Sequence, residues 1–204
     1  MSKELDSRYD HTESDLLEAF QILARKKDPD KITVAEITRV AGVTRSTFYN
    51  HYVDMPTLVN AVEEQILEEI FQMMTDFHPE GSDEISRRFF ETLCVYIQRN
   101  GFLAHMLASP HAAAFIEKAL SMFHRYVRAT LAENRYPDQA QGVYSSALAY
   151  SIGGVVGVLH QWALGGCTEP PQTVARSLSC LFLDGMRPVL NGLGGELNPP
   201  PGSA

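Results

Sequence analysis

Arg45, Ser46, Thr47, Tyr49, Asn50 and His51 sit almost side by side, every one can hydrogen-bond, and none is acidic. On a short helix capped by Thr44, the first three occupy the opening turn, while Phe48 and Tyr52, four apart, turn back toward a core. Such a row suits recognition rather than bond-making. A guanidinium can give two hydrogen bonds to guanine O6 and N7, a pairing worth roughly 1–3 kcal/mol of discrimination. Arg45 is therefore the candidate base reader, with Ser46, Thr47 and Asn50 adding shorter contacts. Thr33, Tyr49 and His51 are placed to donate to phosphates.

The elements needed to hold that row are legible upstream. Thr33 and Glu36 form a T-x-x-E capping box that opens a helix over about Thr33 to Val40, whose buried side is assigned to Val34, Ile37 and Val40. The Ala41-Gly42-Val43 tripeptide makes the turn, with Gly42 free to take the positive φ that a sharp helix reversal demands. A second helix follows over about Thr44 to His51. Before the pair, a first helix is expected from Thr12 to Lys27, with Thr12 and Asp15 as its capping box and Leu16, Leu17, Phe20, Leu23 and Ala24 as its apolar stripe. After it, Asp54 caps a long helix to about Thr75, with Pro56 in the first turn. A plain helical hairpin whose Thr, Ser and Tyr are only caps and surface is the simpler reading. It does not explain a face made wholly of non-acidic hydrogen-bonding side chains.

The segment TVAEITRVAGVTRSTFYNHYVDMPTL resembles the DNA-binding domain of the TetR/AcrR family. The likeness extends over about Thr12 to Ala61. It implies an N-terminal helix-turn-helix, a long connecting helix, a helical ligand-binding domain and a dimer built on the last two helices. Residue by residue it supports Thr33, Arg45, Ser46, Thr47, Tyr49 and His51 as DNA contacts. Two positions depart from the pattern. Met55 and Pro56 stand where the family commonly has a Lys for phosphate, and Tyr52 replaces the usual Phe, where it should merely pack.

Downstream, apolar residues keep helical spacing without period-2 runs, so the fold class is all-α. DFHPEGSD is the sharpest break in composition. Beyond it helices are expected over Asp83 to Arg99, Phe102 to Ala108, Ala112 to Asn134, Asp138 to Leu164 and Gln172 to Leu190. The domain reading is a DNA-binding head over 1–54, a ligand-binding and dimerisation body over 55–190, and a tail over 191–204 too rich in Gly and Pro to pack and expected to be disordered. YSIGGVVGVLHQWALGG resembles relatives of the dihydroxyacetone-kinase regulators. Gly153 and Gly157, four apart, allow another backbone close approach beside Trp162, either within the chain or, as half-site reading favours, across a homodimer interface.

A pocket for a small apolar or aromatic effector is expected among Phe89, Leu93, Tyr96, Phe102, Met106, Phe123 and Val127, although such stripes more often form core. His105, His111, His124 and His160 could orient a guest, but no pair has metal-ligand spacing and no cofactor is implied. HExxH, GxSxG, P-loop and dinucleotide patterns are absent, which argues against an enzyme.

The formal charge of -8 speaks against nonspecific coating of nucleic acid. Residues 1–60 carry 8 Lys/Arg against 10 Asp/Glu, and the remainder 9 against 15, so the excess acid lies mostly outside the head. Cys94, Cys167 and Cys180 suggest neither a disulfide framework nor a zinc site, and the N-terminus has no secretory h-region, which fits the cytoplasm. The uncharged run from Gln139 to Thr168 is read as a buried helix rather than a membrane span, because Gln139, Gln141, His160 and Gln161 interrupt it and Gly153, Gly154, Gly157, Gly165 and Gly166 dilute its hydrophobicity. The partners expected are double-stranded operator DNA, the effector and a second copy. A body that docks a protein coactivator-fashion, with no small ligand, is the alternative.

Overall fold

The computed structural model of the chain describes residues 2–78, 82–109, 112–134 and 138–197, with side chains from residue 9 to 185 apart from 127, 130–144 and 148 within those spans. Every regular element among the described residues is helical: α1 (Ser2–Ala24), a 3-10 turn (Pro29–Lys31), α2 (Val34–Ala41), α3 (Arg45–His51), α4 (Met55–Phe77), α5 (Asp83–Arg99), α6 (Gly101–Ala108), α7 (Ala112–Asn134), α8 (Asp138–Leu164) and α9 (Pro171–Leu197).

Two of these differ from expectation. Helix α1 starts at Ser2, not at Thr12. The stretch SKELDSRYDH contains no Gly or Pro to stop a helix, so the T-x-x-D pattern lies inside one rather than at its end. Helix α9 runs on to Leu197 across the region expected to be tail, and residues 198–204 lie outside the described chain. The DFHPEGSD break falls between α4 and α5, with residues 79–81 outside the described chain. His78 ends α4 in the left-handed region at φ 49°, and Phe77 meets Phe89 of α5 edge-on at 6.2 Å.

The head is α1, α2 and α3 folded on Leu16, Phe20, Ile37, Phe48 and Tyr52, all buried, with Leu58 and Val62 at the start of α4 closing the same core. The body packs α5 on α9, α8 on α9, α4 on α7 and α6 on α8. Head and body meet where α6 begins against the end of α1. Phe102 sits edge-on to Phe20 at 5.0 Å, and Gly101 lies so close that an added Cβ would stand 3.0 Å from the Ala24 carbonyl oxygen.

Residues Ser145–Leu164 are apolar enough, by length and composition, to cross a membrane. Here Ile152, Val155, Leu159, Trp162 and Ala163 are buried against the neighbouring helices. His160 donates from Nδ1 to the Leu107 carbonyl, which ties α8 to α6 and makes it a packing histidine.

Candidate nucleic-acid interface and effector core

The head's local chemistry follows its caps. The Thr33 hydroxyl accepts from the Glu36 N–H at 3.4 Å, and the Glu36 carboxylate accepts from the Thr33 N–H at 3.0 Å and its hydroxyl at 2.8 Å. Lys27, from the end of α1, gives 2.9 Å bonds to both Glu36 oxygens and locks α2 to α1. The Lys27 bond, followed by those from Thr33, holds the Glu36 carboxyl down at about 2. Gly42 closes α2 at φ 69°, and Val43 then sends its N–H back to the Thr38 carbonyl. Val40, assigned to the buried side, is 40% exposed; Ile37 and Thr38 are the buried residues of α2. Thr38 tolerates that place because its hydroxyl donates to the Val34 carbonyl at 2.9 Å.

Thr44 caps α3, its hydroxyl accepting from the Thr47 N–H at 3.1 Å and meeting the Thr47 hydroxyl at 2.8 Å. Phe48 and Tyr52 are buried, whereas Thr44, Arg45, Ser46, Tyr49 and Asn50 are exposed; Thr47 and His51 are half-buried, and Thr33 is exposed at the start of α2. Of the eight residues singled out from sequence, six are thus exposed and two half-buried. Tyr52 does more than pack: its hydroxyl donates to Glu13 at 3.0 Å. Burial first, and then that carboxylate, push its phenol above the ordinary range.

Sequence reasoning missed two residues here. Tyr9 stacks on His51 with ring centroids 3.9 Å apart, and Glu13 holds Tyr52. A signal existed, since Tyr9, Glu13, Leu16 and Phe20 follow one another at steps of four, three and four along one helical stripe. Beginning the helix at Thr12 hid it.

In the body, Leu93 and Phe123 line two small apolar spaces of about 40 Å³ and about 20 Å³, and Phe89 lines the second. Small-molecule sites usually measure about 300–1,000 Å³, so neither space lined by the described residues has that size. Phe102 is engaged by Phe20 at the seam, the half-buried Tyr96 donates to Glu69 on α4 at 2.7 Å, and Met106 is partly buried outside both spaces. Val127 and His111 fall outside the described side chains. An open groove of about 910 Å³ runs between α4 and α7, and its lining shares Leu67 and Met122 with the larger inner space. Across it Lys118 bonds Asn60 and Glu63, and Arg125 bonds Glu68 while lying 4.2 Å over the Phe71 ring.

Gly153 and Gly157 are exposed, and among the described residues an added Cβ at either would meet nothing within 4 Å. Trp162 does not join them at the surface. It is 6% exposed, and its Nε1 donates to the Glu169 carbonyl at 3.0 Å, so it belongs to the protomer's own core. Among the described residues, Tyr150, Leu164 and Leu181 are the large apolar side chains left exposed on α8 and α9. Asp28, Asp30 and His105 bring one ligating atom each within 4.8 Å of one another, a grouping invisible in linear spacing; the two carboxylates are exposed, and Asp28 already accepts from the Asp30 N–H and faces Lys31 at 3.5 Å.

Residues 84–184 match the family model described as the transcriptional regulator C-terminal region. The HTH-type transcriptional regulator YxbF of Bacillus subtilis (strain 168) is 27% identical over 190 residues, covering 89% of this chain; the chain spans 47% of that relative's length. Among solved structures, a TetR-family transcriptional regulator from Streptomyces coelicolor aligns with TM-score 0.67 at 15% identity over 91% of this chain and 86% of its own. The dihydroxyacetone kinase operon activator DhaS aligns with TM-score 0.64 at 16% identity over 86% and 96%. At those identities the structural likeness carries the fold. The family and these relatives are transcriptional regulators rather than enzymes. With a helix-turn-helix head built on α2 and α3 and a body in which residues 84–184 match a transcriptional-regulator C-terminal region, the chain is similar to the TetR-family transcriptional regulators.

Proposed function

We propose that the chain is a cytoplasmic repressor that binds a palindromic operator as a homodimer, reading each half-site with α3 and releasing it when a small apolar or aromatic effector enters the body. The observation that carries the DNA-binding part is the exposed, acid-free row of Arg45, Ser46, Tyr49 and Asn50 on a helix whose other side, Phe48 and Tyr52, is anchored in the head core. Arg45 reads a base, Ser46, Thr47 and Asn50 support it, and Thr33, Thr44, Tyr49 and His51 meet the phosphates. Half-sites one helical turn apart need two heads about 34 Å apart. The bare glycine face of α8, flanked by Tyr150 and Leu164, with Leu181 on α9, suits the pairing surface.

Leu93 and Phe123 are the wall residues of the effector site. Leu67 and Met122, shared between groove and inner space, separate a guest outside from one inside. The small size of the inner spaces favours a second reading, in which the body docks a protein and needs no small ligand.

The DNA-binding part is tested by selecting duplexes from a random library with the full chain, then footprinting them. Arg45→Ala should cost about 1–3 kcal/mol of specific affinity and relax base choice, whereas Tyr49→Phe should weaken all sequences alike. Unchanged affinity and preference in the Arg45 variant would overturn the reading. Gly157→Leu should weaken both dimer and operator binding by overpacking. A thermal-shift screen with apolar and aromatic metabolites separates sensor from docking protein, since a sensor must bind its effector and release the duplex.

A further inference from the structure

The recognition helix α3 has seven residues, too few to hold its own shape without tertiary anchors. At its far end the anchors come from α1. Tyr9 lies flat on His51 at 3.9 Å with the ring planes 27° apart, and its hydroxyl makes a long 3.5 Å hydrogen bond to the Asn50 carbonyl. One turn further along α1, Glu13 takes the Tyr52 hydroxyl. Tyr9 thereby gives flat apolar cover to a polar ring at the protein's edge while itself remaining 48% exposed.

His51 is arranged in an unusual way under that cover. Its Nδ1 is buried and has no hydrogen-bond partner, and the opposite nitrogen, Nε2, is not among the buried unpartnered atoms. A proton on Nδ1 alone would be an orphaned buried N–H, so the donor the ring turns outward is Nε2–H. The stack then fixes the plane in which that N–H points.

We propose that Tyr9 is a positioning residue for DNA binding: its stack on His51 holds the imidazole so that Nε2–H donates to a backbone phosphate when α3 enters the groove. The inference rests on the operator-binding reading above. A phosphate contact carries no base information, so the loss falls equally on all sequences.

The test is a double-mutant cycle on the full chain, with a fluorescein-labelled duplex selected by the wild-type protein from a random library. Tyr9→Ala and His51→Ala should each weaken binding about 10-fold, in keeping with one hydrogen bond to a charged group. The double variant should be no weaker than His51→Ala alone. Tyr9→Phe, which keeps the stack, should bind like wild type. Tyr9→Leu, which keeps the bulk but not the flat ring, should lose most of the affinity with its melting temperature unchanged.

Wild-type binding by both Tyr9→Ala and Tyr9→Leu would overturn the proposal. So would a further 10-fold loss when Tyr9→Ala is added to His51→Ala. Arg45→Ala on the same duplex separates the two levels. If it binds normally, the operator-binding reading fails and this inference with it. If it loses binding while the Tyr9 variants do not, only this inference fails.

Discussion

Gly101→Ala and Gly157→Ala add the same methyl group to two helices, and the surroundings predict opposite results. At Gly101 the new Cβ would lie 3.0 Å from the Ala24 carbonyl oxygen and 3.1 Å from the Arg25 Cα, both backbone atoms that cannot rotate aside. Helix α6 must then lift from the end of α1, and overpacking of this kind costs about 1–3 kcal/mol. Removing a glycine from the unfolded chain returns about 0.4–1 kcal/mol, so a net loss of about 1–2 kcal/mol is expected. At Gly157 nothing lies within 4 Å, and only the helix-propensity gain of about 0.5–1 kcal/mol remains. That gain refers to the protomer. A partner helix laid against α8 would turn the same methyl into a contact that weakens the dimer, so dilution should reveal the stabilisation. Urea unfolding followed by circular dichroism over a range of protein concentrations measures both variants. A Gly101→Ala protein as stable as wild type would show that the seam between head and body is not packed as described.

Gly42→Ala places a Cβ at φ 69° and should destabilise the head by about 1–2 kcal/mol, visible as a lowered urea midpoint. The Glu36 carboxyl, held near 2 against an ordinary 4.5, supports the head fully above about pH 4.5 and loses that support as pH falls through about 2. Glu36→Gln should remove this acid-limb dependence in a pH titration of head amide exchange, and salt should weaken it because the pair with Lys27 is exposed to solvent. Burial pushes the Cys94 thiol up to about 12 from an ordinary 9, so its neutral form contributes below about pH 9 and the contribution is lost as pH rises toward about 12. In native protein at pH 8 an alkylating reagent should label exposed Cys180 first and leave Cys94 until unfolding, as mass spectrometry of timed samples would show.

How much of this was legible in the sequence depended on whether the signal was local. The caps Thr33, Thr44 and Asp54, the turn at Gly42 and the breaks between body helices act within one or two turns of chain, and each helix boundary they mark falls within a few residues of the structure. Two errors came from local signals that tertiary context overrode. Thr12 and Asp15 look like a cap but lie within a helix whose upstream turn is held by the Tyr9 stack, and the glycines after Asn191 look like a tail but continue α9. The effector core was hardest to read, because periodicity marks which residues face inward and not whether they leave a space. Phe102 and Trp162 show the limit: one was assigned to a pocket and joins the head, the other was assigned to an interface and closes its own protomer.

The Phe20–Phe102 contact also bears on how heads and bodies can be recombined. A head cut at the start of α4 would carry Phe20 without the ring that covers it, and a body grafted under a foreign head would present Phe102 to whatever residue stands in place of Phe20. Gly101 sharpens the condition, since only a backbone that approaches as Ala24 does can sit against it. Chimeras made from related proteins should therefore succeed or fail by the match across this seam, and the unit to transplant is the head together with the first turn of α6. Lineages that exchanged DNA specificity by swapping heads would have had to carry that distant turn along with the reading helix.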